Sequence, residues 1–178
     1  NVKKRLTAED KELEKMEIEN YIVDIGGEVR CKGVNSKGGA WRIGIETPFD
    51  GNNTAGEPIQ QVISLSDCAL ATSGNYRRFY LDESGRKVSH TIDPRTGLSV
   101  VSDLLSVTVI APTCAEADAM STMFMTMSKK EALSVARELQ QQGIKVYFIA
   151  SSSDGDYEVY YSSALASGLK ILDNMHAI

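Results

Sequence analysis

The hydrophobic positions along this chain fall into short strand-like runs, interrupted by two stretches of helical character. Residues 21–25 (Tyr-Ile-Val-Asp-Ile) read as a short strand, broken by Gly26-Gly27 and resumed by residues 28–31. Paired glycines inside such a pattern predict a bulge or a close approach of backbone to a ligand, and Asp24 and Glu28 flank the gap. Ser36-Lys37-Gly38-Gly39 predicts a turn, with residues 40–45 as the returning strand of a hairpin. Residues 47–58 collect Pro, Gly and Asn into a polar loop, 61–65 form a further strand, and 69–75 lead from it into a small-residue turn. Residues 76–81 and 86–92 predict a second hairpin around Glu83-Ser84-Gly85, and 144–150 with 157–161 a third.

Residues 104–111 are rich in β-branched side chains and stop at Pro112, a strand with a clear end. Thr113 then stands where an N-cap belongs, and Glu116 lies three residues on, the spacing of a capping box that opens a helix. Ser128 and Glu131 repeat that signature before an amphipathic helix over 132–142, closed by Gly143. Residues 1–20 are charged and read as helix, with Leu13, Met16 and Ile18 as a partial apolar face; 168–178 form a short terminal segment, helix or coil. Three hairpins and two adjacent helices, without regular βαβ alternation, indicate an α+β fold. The sheet is largely antiparallel with packed helices, over a single domain spanning 1–178.

Composition narrows the function more than the fold. A net charge of −5 argues against nucleic acid or an anionic membrane as partner, since either asks for a basic face. No run of about 18 apolar residues occurs, so no transmembrane segment is expected here. Cys31, Cys68 and Cys114 are odd in number and lack metal-site spacing, and with only 2 His in the chain a zinc site is disfavoured. The cysteines read most simply as free side chains.

Candidate chemistry gathers at a few points. Asp118 and Thr122 are four apart on the helix opened by Thr113, so a carboxylate and a hydroxyl share one face. Such hard oxygen donors suit Mg²⁺, which takes few protein ligands; equally, both side chains could simply hydrogen-bond backbone near the cap. His90 ends a predicted strand just before the turn Asp93-Pro94-Arg95-Thr96-Gly97, where it could serve as a general base or as a structural residue. Asp24 and Glu28 read as pocket residues or as two solvated acids beside a bend.

Four stretches taken together resemble the FAD:protein FMN transferases, the ApbE-type flavin transferases. They are residues 21–28 (Tyr-Ile-Val-Asp-Ile-Gly-Gly-Glu), 72–76 (Thr-Ser-Gly-Asn-Tyr), 89–97 (Ser-His-Thr-Ile-Asp-Pro-Arg-Thr-Gly) and 111–122 (Ala-Pro-Thr-Cys-Ala-Glu-Ala-Asp-Ala-Met-Ser-Thr). Each alone is weak, but their order and separation are specific. The resemblance implies an enzyme that splits FAD at its pyrophosphate and moves FMN onto a Thr or Ser hydroxyl of another protein, releasing AMP. Two alternatives go with it: an FAD pyrophosphatase giving FMN and AMP, and a non-catalytic FAD-binding protein. By the same resemblance Asp118 and Thr122 match the Mg²⁺ ligands and His90 the catalytic base. Asp24, Gly26, Gly27, Glu28, Ser73, Gly74, Asn75, Tyr76, Ile92 and Asp93 match the FAD-binding stretches.

The implied partners are FAD and flavin-acceptor subunits of Nqr- or Rnf-type redox complexes. The implied location is the periplasmic side of a bacterial membrane, with a lipid anchor in the full-length precursor. Intact members are about twice as long, so the chain resembles the C-terminal half of the family fold. The family's Ala-Lys-Gly-Tyr stretch and lipid-bearing cysteine are not present in this sequence, and residues 1–10 do not match the helix expected there.

Overall fold

In the computed structural model, residues 10–48, 59–74, 79–81, 87–89, 91–153 and 156–178 are described. The long strands are β1 (Tyr21–Ile25), β2 (Glu28–Lys32), β3 (Trp41–Glu46), β4 (Ile59–Leu65), β5 (Cys68–Gly74), β8 (Leu104–Ala111), β9 (Lys145–Ser151) and β10 (Tyr157–Tyr161), all but β5 expected as strands. Short strands β6 (Phe79–Leu81) and β7 (Lys87–Ser89) pair only with each other, and β11 (Met175–Ala177) ends the series. Seven strands form one sheet in the order β1-β2-β5-β8-β9-β10-β11. Every pairing in it is antiparallel except β10 with β11. The chain is therefore α+β with a mostly antiparallel sheet.

Alternation along the strands divides the core into two layers. Val107 and Val109 of β8, with Val146 and Phe148 of β9, face helices α2 (Cys114–Met125) and α3 (Lys129–Gln140), where Phe124 and Ala132 meet them. Phe124 packs edge-on against Phe148, ring centroids 5.0 Å apart. The intervening residues Ile110, Tyr147 and Ile149 face the other way, onto the β3–β4 pair and a 3₁₀ turn (Ser163–Gly168) that contributes Leu165. The sheet is thus covered on both faces, which lets β8 read as almost wholly apolar. Helix α1, described over residues 10–15, is tied to the β1–β2 edge: Asp10 pairs with Arg30 at 3.3 Å and Glu14 with Lys32 at 2.8 Å.

Four expectations change. Gly26-Gly27 is not a bulge within a strand but the two-residue turn of a hairpin, with Ile25 opposite Glu28. Both glycines have positive φ (73° and 98°), the requirement of a type I′ turn, which suits the twist of the strands it joins. The turn at 36–39 does form, with Asn35 N donating to Gly39 O at 2.8 Å, but the strands around it do not pair with each other. Instead β2 pairs with β1 and β5, and β3 pairs with β4 as a separate ribbon. Residues 69–74 are not a turn but most of β5, where Ala69, Leu70 and Ala71 are buried between neighbours on both sides. The terminal segment is neither helix nor coil throughout, since β11 adds to the sheet alongside β10.

Between β5 and β8 the described residues form an excursion that takes no part in the seven-stranded sheet. It leaves the sheet after Gly74 and returns at Leu104, while Gly74 and Ser106 stand opposite one another in the ladder. Among the described residues, no helix is long and apolar enough to cross a membrane.

Candidate functional site

The helix that frames the site starts as its sequence asks. Thr113 Oγ1 accepts from Glu116 N, and Glu116 Oε2 accepts from Thr113 N at 3.2 Å and from Thr113 Oγ1 at 2.7 Å. From that start, Cys114, Ala117, Ser121 and Phe124 turn into the protein, and Asp118, Thr122 and Met125 form an adjacent stripe. The buried Ser121 hydroxyl lies 2.9 Å from Ser73 Oγ on β5, and Ser73 Oγ lies 3.4 Å from Thr122 Oγ1. These contacts lock the Asp118–Thr122 stripe beside the end of β5.

The stripe forms one wall of a cleft of about 490 Å³, within the range of small-molecule sites. The hairpin turn contributes Asp24, Gly26, Gly27 and Glu28, and β5 contributes Thr72, Ser73 and Gly74. Ile43 to Glu46 of β3 close another side, and Thr91 reaches in from the excursion. Asp24 caps its own turn, accepting from Gly27 N at 3.1 Å. Glu28 differs: its Oε2 is buried and finds no hydrogen-bond partner among the described residues. A buried carboxylate oxygen left unpaired is costly, so this atom asks for a donor that a ligand would bring.

Of the residues singled out from the sequence, Asp24, Gly26, Gly27, Glu28, Ser73, Gly74, Asp118 and Thr122 line this one cleft. They come from positions up to a hundred residues apart. Ile92 and Asp93 stand outside the lining: Ile92 is half exposed and bridges to Ser99. The Asp93 carboxylate accepts from Arg95 N at 2.8 Å and from Arg95 Nη2 at 3.0 Å, which holds its pKa below the usual carboxylate range. Arg95 in turn donates to Thr126 O at 3.3 Å, so this pair fastens the loop to the end of α2. His90, Asn75 and Tyr76 lie outside the described residues; Thr91, next to His90 in the chain, lines the cleft.

Residues 43–46 of β3, together with Met125, were not foreseeable from spacing. Gly44 carries the mid-strand glycine signal, but the close approach it permits is from Ile59, whose Cδ1 would lie 2.9 Å from an added Cβ.

Electrostatically the cleft is one-sided. Asp24, Glu28, Glu46 and Asp118 line it, and among the described residues no Lys or Arg does. Among the described residues, no three Asp, Glu, His or Cys side chains cluster closely enough to cage a metal. Asp118 and Thr122 nevertheless fit Mg²⁺, which is commonly held by one or two protein oxygens, with water and phosphate completing its shell.

A mostly antiparallel α+β fold with an acidic cleft between a capped helix and a glycine hairpin defines a class of small-molecule site. The ApbE family model matches residues 8–148, and the chain belongs to the ApbE family. It is 40% identical over 144 residues to the FAD:protein FMN transferase of Haemophilus influenzae, covering 80% of this chain and 39% of that protein. Against the enzyme of the same name from Vibrio cholerae it is 40% identical over 152 residues, 85% of this chain and 43% of that one. The solved structure of the flavin transferase ApbE from Vibrio cholerae superposes with a TM-score of 0.72 at 38% identity, covering 89% of this chain and 47% of that chain. The chain thus spans less than half the length of the relatives it matches.

Proposed function

We propose that this chain supplies one side of the FAD site of a Mg²⁺-dependent FAD:protein FMN transferase. The observation that carries the reading is the charge of the cleft. FAD brings a pyrophosphate, and the four carboxylates that line the cleft, with no lysine or arginine beside them among the described residues, would repel it unless a cation stood between them. Asp118 and Thr122 would hold that Mg²⁺, whose chemistry is to neutralise charge on the pyrophosphate and on the phosphorus under attack. Relatives 36% to 40% identical are FAD:protein FMN transferases, which supports the same substrate.

The chain's own residues then have separable tasks. Glycines 26 and 27 carry no side chains, so ligand and backbone can approach each other across the hairpin turn. Glu28 Oε2 accepts a hydrogen bond from an N–H or O–H of the bound dinucleotide, which relieves its buried state. Ser73 and Ser121 hold α2 in register with β5 and so keep the Asp118–Thr122 stripe in place. His90 takes the proton from the acceptor Thr or Ser hydroxyl. The hydroxyl oxygen bonds to the phosphorus of the FMN half, the bond from that phosphorus to the bridging oxygen breaks, and AMP departs with the bridging oxygen. The acceptor is a flavin-carrying subunit of an Nqr- or Rnf-type complex on the periplasmic side.

Mass spectrometry tests the reading directly. Incubation of the intact protein with FAD, Mg²⁺ and an acceptor domain should add one FMN to the acceptor, and EDTA should prevent it. AMP release with an unmodified acceptor would replace the transferase with an FAD hydrolase.

A further inference from the structure

Away from the cleft's helix wall, two cysteines face each other across the sheet. Cys31 on β2 and Cys68 on β5 are directly opposite in an antiparallel ladder, so their side chains share one face. Opposed residues in such a ladder have Cα atoms about 4.5–5.5 Å apart, inside the span of about 4.4–6.8 Å that a disulfide bridges. Cys31 is fully buried, while Cys68 is partly open to solvent, and both are free thiols. Protonated, Cys31 donates to Cys68 O at 3.4 Å.

We propose that Cys31 and Cys68 form a redox-active dithiol that closes to a cross-strand disulfide by exchange with a low-molecular-weight disulfide. The solvent-facing Cys68 sulfur, as thiolate, attacks one sulfur of the reagent, breaks its S–S bond and expels the first thiolate. Cys31 thiolate then attacks the Cys68 sulfur of the mixed disulfide and expels the second. Two protein thiols are oxidised, one reagent disulfide is reduced to two thiols, and the two protons released end on those thiols.

Access, not acidity, sets that order: Cys68 meets solvent, while buried Cys31 is the more acidic thiol and supplies the thiolate of the second step. A hydrogen bond from the Cys68 thiol lowers the Cys31 pKa to about 7, against the pull of burial, and nearby Arg30 adds to the effect. The same hydrogen bond, with burial behind it, pushes the Cys68 thiol up. Asp67 and Lys145 are the other charges near the pair. Cys114 is an internal control. It packs with Ala69 on the helix face, the opposite face from Cys68, and its Sγ lies 3.5 Å from Val29 O. Burial raises its pKa to about 11. The next pair on the same face, Val29 with Leu70 two positions along, lines the cleft, so the bond would staple together the two strands that carry the cleft floor.

The test uses the intact protein, reduced and then equilibrated in glutathione buffers of increasing oxidised fraction, denatured and alkylated. We expect alkylation of Cys31 and Cys68 to disappear together, their peptides to be recovered linked, and Cys114 to remain alkylated; dithiothreitol should reverse the change. In Cys31→Ala the reaction should stop at a glutathione adduct on Cys68, and in Cys68→Ser neither adduct nor link should form. Retention of both thiols in fully oxidised glutathione would overturn the proposal. So would a lasting adduct on Cys68 in the parent, or a link that uses Cys114.

Discussion

Helices α2 and α3 are alike in length and in how they begin, yet they are put to different use. Each runs twelve residues and each is opened by a capping box, Thr113 with Glu116 and Ser128 with Glu131. α3 buries only Ala132 and Ala136, and the polar Lys129 at its first turn reaches outward to Glu158 Oε2 at 3.2 Å. α2 buries five residues, one of them Ser121, and turns Asp118 and Thr122 toward the cleft. A cap sets where a helix starts. What the helix faces decides whether its polar residues meet solvent or a ligand.

The sharpest way to break this contrast is to remove the cleft-facing carboxylate. Asp118→Ala should lower Mg²⁺-dependent AMP release and FMN transfer by at least about 10²-fold while costing no more than about 1–2 kcal/mol of stability. Lys130→Ala, on the exposed side of α3, should change neither activity nor stability measurably, staying within about 0.5 kcal/mol. Equal activity of the Asp118 variant and the parent at saturating Mg²⁺ would remove this residue from metal binding.

A smaller effect tests the similarity instead of the difference. Thr113→Ala and Ser128→Ala should each cost about 1 kcal/mol in urea unfolding, because each removes one cap acceptor from the same motif. Losses differing severalfold would mean that the two boxes are not equivalent in the folded protein.

The smallest effect is a pH dependence confined to α3. Backbone and hydroxyl hydrogen bonds from Ser128 hold the Glu131 carboxyl below its usual pKa. A depressed folded pKa gives stability that is present above the unfolded value and lost as pH falls through the folded one. The difference in urea midpoint between the parent and Glu131→Gln should therefore be constant near neutrality. It should shrink as pH drops below the unfolded carboxylate value of about 4.3. A difference that stayed flat to the acid limit would show that the charge of Glu131 does not support the cap.

Both capping boxes and the β9–β10 hairpin were legible in the chain because their signals are local. Thr113, Glu116, Ser128 and Glu131 interact within three residues, and no distant strand can alter that pattern. Gly26-Gly27 shows the limit. Two adjacent glycines announce positive φ, which a bulge and a type I′ turn both use, and only the pairing of Ile25 with Glu28 distinguishes them. Ala69 to Ser73 read as a turn because their side chains are small, yet a strand in the middle of a covered sheet has room for little else beside α2. The small residues were read as conformational freedom when they were an answer to crowding.

Site residues followed the same division. Asp118 and Thr122 are linked by helical spacing and could be paired from sequence, whereas the contribution of residues 43–46 depends on where β3 and β4 lie over the sheet. Ile92 and Asp93 sit inside a recognisable motif, but Ile92 bridges to Ser99 and Asp93 fastens the loop to the end of α2 through Arg95.

The excursion between β5 and β8 has an evolutionary consequence. Its two ends are held opposite each other by a ladder that reaches Gly74 and Ser106, so loop closure is paid by the sheet and not by the inserted residues. Doubling the length of such a segment costs only about 0.6 kcal/mol in closure entropy. Lengthening it away from His90 would leave the neighbouring strands in register while changing what surrounds Thr91 at the cleft. One side of the site can thus diversify as a cassette, on a framework that does not have to change with it.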